Sequence, residues 1–224
     1  LYALRVGDAG IKDHLDNYAS GFANALVRAA VGDKSKVAEW TKEIAPLDRS
    51  PDHERAATYA AALAAVGDKA GTKAADKALK TCKPGAIRAF SRALTVLEKT
   101  RWAAGARKQI ATCLGKQKGD ADLEGLALAV GSYVLLRSGD AKALPLMGRA
   151  LASGDADTRR EAGNCLTGRW GGMPISGPSN GLNGGVAIKG LGALLTAAAA
   201  KESDSHIKTD FHVALVMQKS AGGE

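Results

Sequence analysis

Aromatic residues are scarce in this chain of 224 residues, since Phe, Trp and Tyr together account for 4% of the sequence. The chain also contains no apolar run of the roughly 18 residues that a membrane-spanning helix needs, so we expect no membrane span. Alanine is abundant instead, and it is both the best helix former and a residue small enough to let helices approach closely. The composition therefore predicts an all-α fold held together by small-residue packing.

Cysteine is rare as well, with three residues, Cys82, Cys113 and Cys165. No CxxC pair is present, which argues against a zinc ribbon or a thioredoxin-like redox motif. Two interpretations remain open. The cysteines are small buried core residues, which is our working expectation, or Cys82 and Cys113 form a disulfide in an oxidising compartment and leave Cys165 over. The localisation, cytoplasmic or periplasmic and secreted, stays open with them.

The usual marks of a catalytic or metal centre are missing. The four histidines are scattered, no GxxxxGK[ST] motif occurs, and no GxGxxG follows a predicted strand. The stretch from Asp120 to Gly125 resembles the start of a calcium loop, but Gly131 stands where that loop needs a glutamate. We therefore interpret these acids as a helix N-cap, and we expect no catalytic residue, no metal and no cofactor.

A repeat of about 35 residues organises the middle of the chain. Asp33, Asp68 and Asp140 each follow a glycine and precede an Ala-, Lys- and Leu-rich helix. The second helices of the repeats begin at a similar spacing, near Ser50, Pro84, Asp120 and Asp155. Internal periods of this length are typical of solenoids. We predict four helix pairs between residues 33 and 170.

The stretch SGDADTRREAGNCL, which begins at Ser153, resembles the second helix of a HEAT-like repeat of the phycobilisome-lyase type. Asp155, Arg159, Ala162 and Leu166 fall on the acidic, Arg, Ala and Leu positions of that repeat, and Pro145 stands where its first helix often carries proline. The resemblance is clear over residues 139–166. It implies a right-handed α-solenoid with capping helices at both ends, and most members of the family are protein-binding scaffolds, while a few act on bilins or DNA bases.

The predicted organisation is a single structural domain with four parts. Residues 1–32 form an N-terminal capping helix and residues 33–170 form the repeat array. A Gly-rich loop over 171–185 cannot be helical. Residues 186–224 cap the array, with an apolar helix from about Val186 to Lys201 and a last segment, Ile207 to Met217, whose pattern suits helix or strand.

The net charge of +8 is concentrated in one part of the chain. Residues 67–118 contain thirteen basic residues and three acids, which gives +10, so the remainder carries −2. In a solenoid the second helices commonly line the concave face. On the helix that begins at Pro84, we expect Ile87, Phe90, Leu94 and Leu97 to face the core and the basic residues to lie on another face.

We therefore predict a non-enzymatic scaffold that binds a protein partner on its concave face. The alternative is binding of nucleic acid or another polyanion by residues 67–118, and a solenoid-type enzyme such as a bilin lyase or DNA glycosylase is the least favoured reading. The resemblance also implies a competing, structural role for Arg159, because the arginine at that position of the family pairs with acidic turns, here Asp155 or Asp157. The candidate partner-binding residues are Arg88, Arg92, Lys99, Arg101, Arg107, Lys108, Arg159 and Arg160.

Overall fold

The computed structural model describes residues 60–61, 63–64, 67–94, 101–170, 173–174 and 187–222, and every structural statement below refers to these. They form eight α-helices, one short 3-10 helix and one two-stranded hairpin, which confirms the all-α prediction. The α-helices are α1 (Lys69–Lys80), α2 (Pro84–Leu94), α3 (Arg101–Lys116), α4 (Asp122–Arg137), α5 (Leu144–Leu151), α6 (Ala156–Thr167), α7 (Leu191–Lys201) and α8 (Ser205–Ser220).

Two compact units make up the chain, Leu1–Ala106 and Arg107–Glu224. The described residues do not include the predicted N-terminal cap, most of the first helix pair, Leu97, Lys99 or most of the Gly-rich loop. Among the described residues, no helix is both long enough and apolar enough to cross a membrane. The predicted division into capping helices, repeat array and loop stays a prediction.

In the first unit, α1 begins where the Gly-Asp signal predicts. The side chain of Asp68 accepts a hydrogen bond from the backbone N–H of Gly71 at 2.6 Å, which satisfies one of the open donors at the helix start. Helix α2 begins at Pro84, as predicted, and Ile87, Phe90 and Leu94 are fully buried. The expected core positions of α2 that the structure describes are therefore confirmed.

The second unit is built around α4. All ten of its residues from Ala127 to Leu136 are buried, so this helix is apolar on every side and lies in the interior of the unit. Helices α5 and α6 both pack against it. The N-cap of α4 is Ala121, without a side-chain hydrogen bond, while Asp122 and Glu124 lie in the first turn. The prediction of an acidic N-cap there is wrong by one position, although carboxylates in a first turn still suit the helix dipole.

Helices α5 and α6 occupy the stretch with the clearest repeat signal. Asp140 caps a 3-10 turn over Ala141–Ala143 that leads into α5. Asp155 caps α6 and accepts hydrogen bonds from both the N–H and the hydroxyl of Thr158. Ala162 and Leu166 are fully buried. Asp155 therefore begins this helix, and Ala162 and Leu166 belong to its buried side.

The C-terminal part departs from the sequence predictions at three points. Arg169–Trp170 pairs with Met173–Pro174 in a short antiparallel hairpin, where only a loop was expected after Trp170. Helix α7 begins at Leu191 rather than near Val186, because Gly190 adopts a left-handed conformation (φ 86°) that starts the helix there. The last segment is helical over Ser205–Ser220. Helix α8 packs against α6 and α7, which leaves α8 to cover the last helix of the predicted array.

The cysteines follow the second interpretation. Cys82 and Cys113 are each disulfide-bonded, whereas Cys165 is fully buried and keeps its thiol. The working expectation of three buried thiols is therefore wrong for two of the three.

Candidate functional site: the lysine row of helix α1

Four lysines form a row on one side of α1, and we call Lys69, Lys73, Lys77 and Lys80 the lysine row. Successive residues of an α-helix turn by about 100°, so spacings of four, four and three keep these side chains within a sector of about 80°. The buried residues of the helix, Gly71, Ala75 and Leu79, lie on the opposite side. All four lysines are exposed. The row extends along about 16 Å of the helix, at a rise of 1.5 Å per residue.

The lysine row borders an open groove of about 560 Å³, whose other lining residues are Gly67, Thr72 and Asp76. Asp76 precedes Lys77 in the sequence, and it accepts a hydrogen bond from the indole N–H of Trp102 at 3.4 Å. Trp102 also packs on Phe90, with ring centroids 5.7 Å apart. This indole is therefore occupied by contacts within the first unit. The groove itself presents ammonium groups, one hydroxyl and one carboxylate.

The described residues of the first unit carry a strong positive charge. They include eight Lys and Arg residues but two acids, Asp68 and Asp76, which gives a net charge of +6. Asp68 is engaged in capping α1 and Asp76 in the contact with Trp102. The positive field around the lysine row is consequently opposed by little charge within this part of the chain.

The arginines that the sequence singled out on α2 have a different setting. Arg88 and Arg92 are half-buried, and each takes part in interactions with other groups of the protein. Arg101 is the first residue of α3, and its side chain lies outside the described residues, as does Lys99. The most exposed basic surface described in this unit is therefore on α1, one helix before the expected one.

Arg107 and Lys108 lie in the second unit, where they line an open groove of about 500 Å³. Lys142, which follows Asp140 in the 3-10 turn, lines the same groove. Asp140 is also part of this lining, and its carboxylate accepts a hydrogen bond from the N–H of Lys142 at 3.1 Å. The structure thus brings two of the predicted residues together with one cation that the sequence did not single out.

Arg159 has a structural setting. Its Nε lies 2.6 Å from Glu202 Oε2 and its Nη2 lies 3.3 Å from Oε1, which makes the ion pair bidentate. Its Nη1 donates to the carbonyl oxygens of Ser153 and Gly154. The hydrogen bond from Arg159 holds the pKa of Glu202 below its usual value, and the same bond raises the pKa of Arg159. The sequence predicts that Arg159 pairs with Asp155 or Asp157, and this prediction is wrong. The partner in the structure is Glu202, in the segment before α8.

Arg160 is exposed and forms surface ion pairs with Asp157 and Asp204. Asp204 caps α8, and hydrogen bonds from the backbone N–H groups of Ile207 and His206 lower its pKa. Arg159 and Arg160 together therefore join the start of α6 to the start of α8.

A second arginine bridge, which sequence reasoning missed, fastens the turn after α3. The guanidinium of Arg149, on α5, donates to the carbonyl oxygens of Gln117, Lys118 and Gly119 at 3.2 Å each. Ser153 adds a bond of 2.6 Å to the carbonyl of Asp120. In the sequence, Arg149 is one of many basic residues, and nothing marks the carbonyl groups that it meets.

The sequence contains enough information to predict the lysine row. Its members belong to the thirteen basic residues of the stretch 67–118, but none of them is among the predicted partner-binding residues. The signal that identifies the row is its spacing relative to the small apolar residues of α1, since the two sets have the same period and opposite phase.

Comparison of the chain with protein-family models, with curated proteins and with solved structures finds no match in any of the three. Among the described residues there is no group of three or more His, Cys, Asp or Glu side chains that could hold a metal ion.

Proposed function

We propose that the chain is a non-enzymatic α-solenoid scaffold that binds an anionic macromolecular partner, and that the lysine row of α1 is the contact surface. The observation that carries this proposal is the phase of the row, with four exposed ammonium groups on one side of a helix and Gly71, Ala75 and Leu79 buried on the other. Long-range attraction by such a surface raises the rate at which an anionic partner is captured.

The solenoid part of the proposal rests on the order of packing in the second unit. Helix α4 packs on α5 and α6, α6 packs on α8, and α7 packs on α5 and α8, so helices near in sequence are neighbours in space. The arginine bridges support the same arrangement, because Arg149 fastens the turn before α4 and Arg159 joins the turn before α6 to the turn before α8.

The proposed contact surface differs from the predicted one, in which a protein partner binds to the second helices of the repeats. Arg88 and Arg92 are half-buried on α2, and Arg159 is engaged with Glu202, so three of the predicted contacts are less accessible than the lysine row. Four exposed lysines suit any partner with a dense negative charge.

The experiment is chromatography on heparin, a sulfated polysaccharide, with two variants of equal charge. In the row variant, Lys69, Lys73, Lys77 and Lys80 are replaced by Gln, which has a similar helix propensity. The control variant carries the same replacement at four exposed lysines of the second unit: Lys189, Lys201, Lys208 and Lys219.

We expect the unmodified chain and the control variant to be retained and the row variant to elute at clearly lower salt. Equal elution of the two variants would show that net charge alone governs retention, and it would overturn the proposal. Circular dichroism of both variants checks that the helices are intact.

A further inference from the structure

We infer that the partner of the lysine row is double-stranded nucleic acid, bound through its phosphates without sequence preference. This inference rests on the proposed function and specifies the class of anion. It follows from three features of the first unit: the chemistry of the row, the setting of its aromatic residues and the distribution of exposed apolar side chains.

The first feature is that the row consists of lysines. A lysine ammonium is a compact point charge on a flexible stem, whereas the arginine guanidinium is a rigid planar fork suited to bidentate contacts of fixed geometry, such as those to base edges. Contacts to phosphate fix the position of a protein on the duplex and carry no sequence information. A row made of lysine alone therefore indicates binding that tolerates any sequence.

The spacing of the row also suits a duplex. Duplex DNA carries one negative charge per about 1.7 Å of its axis with both strands counted, so about 16 Å of duplex contains roughly ten phosphates, some of which face a bound helix. The flexible side chain of each lysine can then adjust to a nearby phosphate. The partner needs no particular arrangement of charges, which a single acidic patch on a folded protein would have to supply.

The second feature is the absence of a stacking platform among the described residues of the first unit. Binding of single strands depends on aromatic side chains on which bases stack. Phe90 is fully buried, and Trp102 packs on it and donates to Asp76. The ring of Phe90 is thus inaccessible, and the half-buried ring of Trp102 is held by Phe90 and Asp76, which favours a paired duplex over a single strand.

The third feature distinguishes nucleic acid from an acidic protein. Interfaces between proteins are centred on large apolar or aromatic side chains that become buried on binding. The exposed large hydrophobic residues among the described residues are Leu123 and Val216, and both belong to the second unit. The groove beside the lysine row offers Gly67, Thr72 and Asp76 in place of such anchors.

The test measures fluorescence anisotropy at about 50 mM salt, where phosphate contacts are strongest. Three labelled probes are used: a random-sequence duplex of about 20 base pairs, one of its strands alone, and poly-glutamate with as many residues as that strand has nucleotides. A second duplex of unrelated sequence tests sequence preference. The proteins are the full chain, the row variant and the control variant described above.

We expect the full chain to bind both duplexes with dissociation constants that agree within about twofold, and more tightly than it binds the single strand or poly-glutamate. The row variant should bind the duplex at least tenfold more weakly, and the control variant should bind within about twofold of the full chain. Tighter binding of the single strand or of poly-glutamate, lost in the row variant, would overturn the inference and leave the proposed function intact. If no polyanion binds, both fail.

Discussion

Two ion pairs of the second unit differ greatly in how far their side chains are buried. Arg159 and Glu202 form a bidentate pair in which the Glu202 side chain is 1% exposed, whereas the Asp157 side chain, paired with Arg160, is 74% exposed. Removing one partner of a buried ion pair is costly because the other charge then remains desolvated. An exposed ion pair contributes little to the free energy of unfolding. Charge pairs that look equivalent in the sequence therefore make unequal contributions to stability.

Replacing Glu202 by Gln should lower the free energy of unfolding by about 3 kcal/mol, since it leaves the guanidinium of Arg159 without its counter-charge. Asp157→Asn is the matched control and should cost at most about 1 kcal/mol, because that pair is solvated. Urea unfolding at neutral pH measures both values. Equal losses in the two variants would contradict a special role for the buried pair.

The carboxyl group of Glu202 also leads to a prediction of how the stability of the chain changes at acid pH. The hydrogen bond from Arg159 lowers the pKa of Glu202 from its usual value of 4.5 in the folded chain. A lowered pKa contributes stability that is complete above the unfolded value and is lost as the pH falls through the folded value. The difference in unfolding free energy between the unmodified chain and Glu202→Gln should therefore shrink below about pH 4.5. Urea titrations from neutral to acid pH measure it, and a difference that stays constant would contradict the assignment.

At the scale of helices, close approach of α4 to α6 depends on one small residue. Gly125 is buried in the first turns of α4, and a Cβ atom there would overlap Thr158 Oγ1 on α6 and the carbonyl oxygen of Asp120. The hydroxyl of Thr158 is fixed by its bond to the Asp155 carboxylate, so it is not free to move aside. The contact between these helices therefore requires glycine.

Gly125→Ala should lower the free energy of unfolding by about 1 to 3 kcal/mol through overpacking. Gly105→Ala offers a comparison within α3, because a Cβ atom there meets nothing within 4 Å. That substitution should raise stability by about 0.5 to 1 kcal/mol, as alanine favours a helix over glycine. Thermal unfolding of the two variants measures both effects, and similar melting temperatures for the two would contradict the prediction.

Helix starts were well predicted because capping is local. The signals at Asp68, Pro84 and Asp155 lie within a few residues of the helices that they begin, so the sequence contains the cause. The start of α7 was missed because Gly190 takes a left-handed conformation that composition does not encode. The short hairpin at Arg169–Trp170 was missed since it depends on pairing across a turn.

The candidate site was harder to predict than the helices. The basic stretch 67–118 was identified, but exposure depends on which residues neighbouring helices cover. Arg88 and Arg92 are half-buried, while the lysines of α1 remain exposed. The partner of Arg159 lies 43 residues away in the sequence, and this distance hides the pairing from any local pattern.

At the scale of the whole molecule, the state of the cysteines is a direct check on the fold. Cys82 and Cys113 are each disulfide-bonded and Cys165 is buried with a thiol. Alkylation followed by mass spectrometry should modify no cysteine in the folded protein. It should modify Cys165 alone after unfolding without reductant, and all three after reduction. Three modified cysteines in the unfolded, unreduced protein would show that the thiol form persists, as expected for a reducing compartment.

The central claim for the whole molecule is that four lysines of α1 bind the phosphates of a polyanion. The dependence of duplex affinity on salt measures this most directly, because each phosphate neutralised contributes about −0.9 to the slope of log K against log salt concentration. The unmodified chain should give a slope near −3.6, and the variant with Gln at Lys69, Lys73, Lys77 and Lys80 should give a slope close to zero. The same slope for both proteins would contradict the claim.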